Sequence, residues 1–189
     1  MEFWVMASKL MAMLGGFSVL FSFQPQVDLM PPKVSVEAGQ VIVKTKLLNA
    51  FPEELNEVFL SGTTVILKFK ISLKEKNGQI IEEKELFHKV YYDLVKKEYT
   101  VIVSSQFPGF KPAVPKTTAD ILEMKRWFRE LNVKLIPEEK ILPKKLYVIE
   151  IEASLLPIEI MALKDKKYDL MSFWEYKVPK VTSQVVLKE

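Results

Sequence analysis

A single imidazole, His88, and no thiol at all define the side-chain chemistry open to this 189-residue chain. Without cysteine there is no disulfide, no thiolate metal site and no thiol nucleophile. One histidine cannot build a zinc site from several imidazoles, and a serine nucleophile would depend on His88 alone as its base. His88 sits in Leu86-Phe87-His88-Lys89-Val90-Tyr91, and Leu86, Val90 and Tyr92 share its face of an extended chain. That setting reads as a half-buried histidine bonded to a neighbouring strand, ahead of a metal ligand or a pH sensor.

The other candidates are a carboxylate pair and a set of aromatics. Glu150 and Glu152 stand two apart in an alternating stretch, so both project from one face. General acid–base work needs one carboxyl raised by an apolar pocket, and the polar face of a strand supplies neither that pocket nor a companion histidine. Phe107 and Phe110 flank Pro108-Gly109 in a loop stiffened further by Pro112 and Pro115, while Tyr168 and Trp174 frame Asp169-Leu170-Met171-Ser172-Phe173. Phe107, Phe110, Tyr168, Trp174 and His88 are therefore the possible binding residues, an aromatic-lined pocket for a small ligand or a glycan. The simpler packing reading lays Phe107 and Phe110 on the adjoining sheet. It makes Trp174 an inward-facing strand residue, with Phe173 and Glu175 on the opposite side. Asp169 and Ser172 then satisfy backbone amides of the preceding turn.

These residues must be positioned by strands. In Val65-Ile66-Leu67-Lys68-Phe69-Lys70-Ile71-Ser72-Leu73-Lys74 the odd positions are apolar and the even ones mostly polar, the period-two signature of a strand with one buried side. Asn77-Gly78 predicts a two-residue type I′ hairpin turn, a return strand from Gln79 to about Asp93, and pairing of Lys74 and Lys76 with the carboxylates between Glu82 and Glu85. Further strands are expected at 34–37 and 40–48 around Ala38-Gly39, at 98–105, at 146–153, and after Tyr176. Helices are expected at 52–62, with Pro52 in its first turn and Gly62 as its left-handed cap, and from Thr117 or Thr118 to about Leu131, with Asp120 a weak capping partner. Residues 137–143 read as a charged connector.

Residues 1–27 read as a signal peptide or an N-terminal membrane anchor. Lys9 precedes an uncharged run, residues 10–23, of signal-peptide length and short of the roughly 20 residues of a comfortable spanning helix. A buried N-terminal helix of a cytosolic protein is the third reading, and the absence of a small-x-small cleavage pattern leaves anchor and cleaved signal both open. Either leading case places the body outside the cytoplasm, periplasmic or held to the outer face of the inner membrane. Residues 28–33, with Pro31 and Pro32, form a spacer; 34–180 form one domain; 181–189 read as a C-terminal tail.

The chain holds 49% hydrophobic and 27% charged residues with a net charge of +3, the composition of a folded domain. Its positive charge is dispersed among glutamates, so no basic stripe marks a nucleic-acid surface. No Gly-rich phosphate loop follows a strand, and nothing in the pattern requires a cofactor. The expected fold is mainly β, an antiparallel β-sandwich of immunoglobulin-like character with two or three peripheral helices, or else a closed barrel.

Ser154-Leu155-Leu156-Pro157, followed by Tyr168-Asp169-Leu170-Met171-Ser172-Phe173-Trp174, resembles the C-terminal signature of a bacterial exported family known as domain of unknown function 4390. Tyr91-Tyr92-Asp93-Leu94 before Glu98-Tyr99-Thr100-Val101, the region from Phe59 to Phe69 and the helix after Thr118 are similar to that family as well. The likeness spans residues 34–178; Tyr168 stands where the family has tryptophan, and Lys74 and Lys76 replace its basic cluster. The resemblance implies export, no established activity, and a membrane or periplasmic partner such as a sensor kinase. The sequence therefore points to a non-enzymatic protein-binding module of the cell envelope, touching the membrane only through its N-terminal segment, with ligand or glycan binding as the alternative.

Overall fold

A computed structural model describes residues 26–105, 114–159 and 167–187 of the chain. Almost all of the expected leader, and the loop carrying Phe107 and Phe110, lie outside the described residues. The architecture is mainly β and antiparallel, as the alternating pattern requires. The strands in chain order are β1 (Asp28–Leu29), β2 (Lys33–Glu37), β3 (Gln40–Leu48), β4 (Val65–Glu75), β5 (Ile80–Asp93), β6 (Glu98–Ser104), β7 (Lys116–Thr118), β8 (Glu130–Pro137), β9 (Leu146–Leu155), β10 (Ile158–Glu159), β11 (Lys167–Tyr168) and β12 (Lys180–Val186). The α-helices are α1 (Leu55–Leu60) and α2 (Ile121–Arg129).

Six strands form the larger sheet in the order β12-β9-β4-β5-β6-β7. β4 sits near its middle because Val65, Leu67, Phe69, Ile71 and Leu73 are all fully buried on one face. Its polar face meets the carboxylates of both neighbours: Lys68 pairs with Glu85, Lys70 with Glu83, and Lys74 with Glu150 on β9. The lysines that meet the Glu82 to Glu85 run are therefore Lys68 and Lys70, and not the expected Lys74 and Lys76. The displacement has a local cause. Only Gly78 of the Asn77-Gly78 pair has positive φ, at 90°, whereas a type I′ turn needs it at both central residues. Gly78 donates its N–H to Glu75 O and Glu75 donates to Gln79 O, which closes a three-residue loop, and a register shift follows between Leu73 and Lys74.

The smaller layer is built on β3. It pairs with β2 and β8 over the same residues, hence on its two sides, and its last two residues pair with β1. α1 and α2 complete that layer, with Leu55, Val58 and Phe59 of α1 and Met124 and Phe128 of α2 buried. Phe51 stacks on Phe128 at 5.2 Å, and Phe59 meets both rings edge-on at 5.7 and 5.9 Å. Such pairs contribute roughly 0.5–1.5 kcal/mol each beyond area burial. One continuous apolar core joins the layers.

Several boundaries differ from expectation. The spacer contributes β1, with Leu29 buried; Val27, expected as the last residue of the leader, is buried in the core too; and the tail contributes β12, which pairs with β9 along its whole length. The cap of α2 is Asp120, whose carboxylate accepts from Leu122 N at 2.8 Å, because Lys116–Thr118 are drawn into β7. The sequence carries the helix to about Leu131 and begins a connector at Pro137, and β8 occupies the stretch between them and both of its boundaries. Leu131 sits in that strand, where Leu131, Val133 and Leu135 are buried.

Candidate functional site

His88 reaches the core from β5, opposite Leu67 on β4 and Val103 on β6. It is 2% exposed, so it is fully buried and not half-buried as expected. Its partner is also different, being a helix end and not a strand. Nδ1 lies 2.9 Å from the main-chain oxygen of Phe128, in the last turn of α2. A carbonyl only accepts, so Nδ1 carries the hydrogen and the ring is the Nδ1–H tautomer. Nε2 is buried without a partner, and Phe69 meets the ring at 5.1 Å. Burial pushes the imidazole down to about 4; the Phe128 carbonyl opposes that shift and the Lys116 charge adds to it. A buried neutral ring with no solvent-facing nitrogen tethers a helix and takes no substrate proton.

Trp174 is buried as well, but on a 3-10 turn, Leu170–Trp174, and not on a strand. Asp169 starts the turn by accepting from Met171 N at 2.9 Å, and Ser172 donates its hydroxyl back to Asp169 O. The turn ends at Glu175 and Tyr176, both in the left-handed region with φ of 52° and 58°. That geometry swings the indole inward, where Nε1–H donates to Ala50 O across 2.7 Å. Tyr168 is half-buried on β11 and packs against the core edge. The structure thus sends His88 and Trp174 into the interior and brings no exposed aromatic surface together from the described candidates; Phe107 and Phe110 lie outside the described residues.

Glu150 is likewise committed. It accepts from Lys74 at 2.8 Å and from Lys180 at 3.1 Å, and Lys180 also reaches Glu152 at 2.9 Å. The lysine hydrogen bonds hold the Glu150 carboxyl below its usual range despite some desolvation, the opposite of what a general acid requires. Among the described residues no group of three or more histidines, aspartates or glutamates could hold a metal ion, and no helix is long and apolar enough to cross a membrane. A shallow depression of about 400 Å³ lies beside Gly39, Gln40, Pro137, Glu138 and Glu139. It gathers the carboxylates of Glu138 and Glu139 at a hairpin end.

Which strand forms an open sheet edge is not legible in the sequence. At one side of the large sheet, β7 is only three residues long, which blunts it. At the other, β12 runs for seven residues, Lys-Val-Thr-Ser-Gln-Val-Val, without proline, glycine or bulge. Its one charge, Lys180, is held by Glu150 and Glu152. Pro179 O accepts from Ala153 N at 3.1 Å, which sets the ladder's parity. Residues 181, 183 and 185 turn their polar backbone groups to β9, while Lys180, Thr182, Gln184 and Val186 turn theirs outward. The strand itself is signalled by the alternation of Val181, Ser183 and Val185, which are its half-buried positions.

No family model matches the chain, and neither a curated protein nor a solved structure matches it.

Proposed function

We propose that this protein is an exported, non-enzymatic β-sandwich module of the cell envelope that recognises another protein by strand addition. The observation that carries the reading is the outer edge of β12, where four residues present free N–H and C=O groups in a strand with high β-propensity and a single, neutralised charge. Strand addition takes its affinity from such main-chain groups and its specificity from alternate side chains. The leader pattern of residues 1–27 supports export, and the resemblance to the exported family of unknown function supports an envelope partner. The arrangement of His88, Trp174 and Glu150 supports a non-catalytic role, since each is engaged in holding the fold.

A photo-crosslinking residue placed at Gln184 in intact cells tests the proposal, with the same probe at Lys96 on the β5–β6 turn as control. A discrete protein adduct from position 184 and none from 96 is the expected result. Equal labelling at both positions, or none at either, overturns it.

A further inference from the structure

We infer that the occupant of the β12 edge is a second copy of this chain, joined by antiparallel pairing of β12 with itself about Ser183; the inference rests on the strand-addition reading above. The sequence of β12 is close to palindromic around that residue. Val181 and Val185 stand two on either side of Ser183, Thr182 and Gln184 one on either side, and Val181, Ser183 and Val185 are half-buried on the same sheet face.

Ladder parity restricts the match to pairs of even-numbered residues, and among the registers it allows only the axis at Ser183 sets both valines of the inner face against valines. Since Lys180, Thr182, Gln184 and Val186 point their backbone groups outward, they must form the hydrogen-bonded pairs of any added strand. With the two-fold axis at Ser183, Thr182 bonds to Gln184 of the second copy and Lys180 to its Val186. The intervening residues then fall in non-hydrogen-bonded pairs, where side chains approach most closely. Those pairs are Val181 with Val185 of the second copy, Ser183 with its own mate, and Val185 with Val181: apolar on apolar and hydroxyl on hydroxyl. No like charges oppose one another, because the one lysine of the strand faces a valine. A slip by one residue would set outward groups against groups already committed to β9, and would turn the valines to the charged face. The result is one continuous sheet running through both copies, with the two β7 strands at its ends.

Sedimentation of the full chain over a roughly hundredfold range of concentration reads the association, and two paired charge variants read its register. In this register position 182 opposes 184 of the other copy. Thr182→Lys with Gln184→Glu places opposite charges across the axis and is expected to tighten the dimer by about threefold or more, whereas Thr182→Lys with Gln184→Lys places like charges there and is expected to weaken it about tenfold. Thr182→Pro removes an outward N–H that no β9 group uses and is expected to abolish the dimer, while its melting temperature stays near that of the unaltered chain when both are compared at a concentration where the latter is monomeric. A chain that stays monomeric throughout, or charge variants that respond alike, overturns the inference. The crosslinker at Gln184 separates that failure from failure of the underlying reading. An adduct of twice the chain mass supports self-pairing, an adduct with a different protein overturns it while strand addition stands, and no adduct removes both.

Discussion

His88 donates Nδ1–H to the main-chain oxygen of Phe128 at 2.9 Å, so a side chain of β5 holds the C-terminal end of α2. The bond joins the middle of the large sheet to the helix that leads the chain into the smaller layer. It also leaves Nε2 in a place where no acceptor waits for a second proton.

Acid should therefore loosen the fold through this residue. The folded imidazole titrates at about 4, below its ordinary value of 6.5, so the fold prefers the neutral ring. The contribution is fully present above pH 6.5 and is lost as pH falls from 6.5 towards 4, by a total of about 3 kcal/mol. Urea unfolding of the native chain and of His88→Gln, compared at pH 7.5 and 4.5, checks the effect. The native chain should lose most of that stability between the two pH values and the variant should lose little; equal slopes would remove the assignment.

Replacing the indole that reaches Ala50 should cost more than its lost area. Trp174→Phe keeps an aromatic ring but strands a buried carbonyl, a penalty of about 1–3 kcal/mol. Trp174→Ala adds a cavity and should reach about 3–5 kcal/mol. The midpoint of denaturant unfolding measures both, with the slope unchanged if the denatured state is unaltered.

Glu150 should ionise below the range of a free glutamate, and the Lys74 and Lys180 hydrogen bonds are the cause. Carbon-detected NMR titration of the carboxyl should show an acid-shifted midpoint that returns upward in the double variant Lys74→Met, Lys180→Met. A stabilising carboxylate of this kind contributes at neutral pH and loses that contribution as pH falls through its folded midpoint.

Gly78 should be replaceable sterically but not conformationally. A Cβ there meets nothing within 4 Å, yet its φ of +90° is costly for an L side chain. Gly78→Ala should lower stability by about 1–2 kcal/mol, read as a shift of the thermal midpoint, with the hairpin retained.

Deleting residues 180–189 tests whether the C-terminal strand belongs to the domain. β12 covers one side of β9 over seven residue pairs, and Val181 and Val185 are half-buried on it. The truncated chain should melt about 10 °C lower or fail to accumulate in soluble form.

The strands whose side chains alternate between oil and water were legible from the residues: β3, β4, β5, β6 and β9 lie where the period-two pattern puts them. β8 was not, because Leu131 fits the helical series Met124, Phe128, Leu131 as well as it fits the strand series Leu131, Val133, Leu135. Arg129 and Glu130 change from helix to strand with no proline or glycine between them. Only the presence of β3 beside it decides the matter, and that is a tertiary fact. Asn77-Gly78 marks the position of the turn and leaves its type open, since one dipeptide serves two loop geometries. The inward direction of His88 follows from its neighbours, but the depth of its burial does not, because a helix 40 residues later supplies its bond. The inward direction of Trp174 was legible and its element was not, since the 3-10 turn depends on two left-handed residues, Glu175 and Tyr176, that carry no glycine to announce them.

β4 lies between a hairpin partner made immediately after it and a second partner, β9, that begins seventy residues further on. During synthesis its second flank must wait until most of the polypeptide has emerged, and the outermost strand follows only after that. Non-local pairing of this kind closes slowly. Such a chain carries an unpaired flank on its central strand for nearly the whole time it is being made, an open edge exposed to mispairing until the last strands arrive.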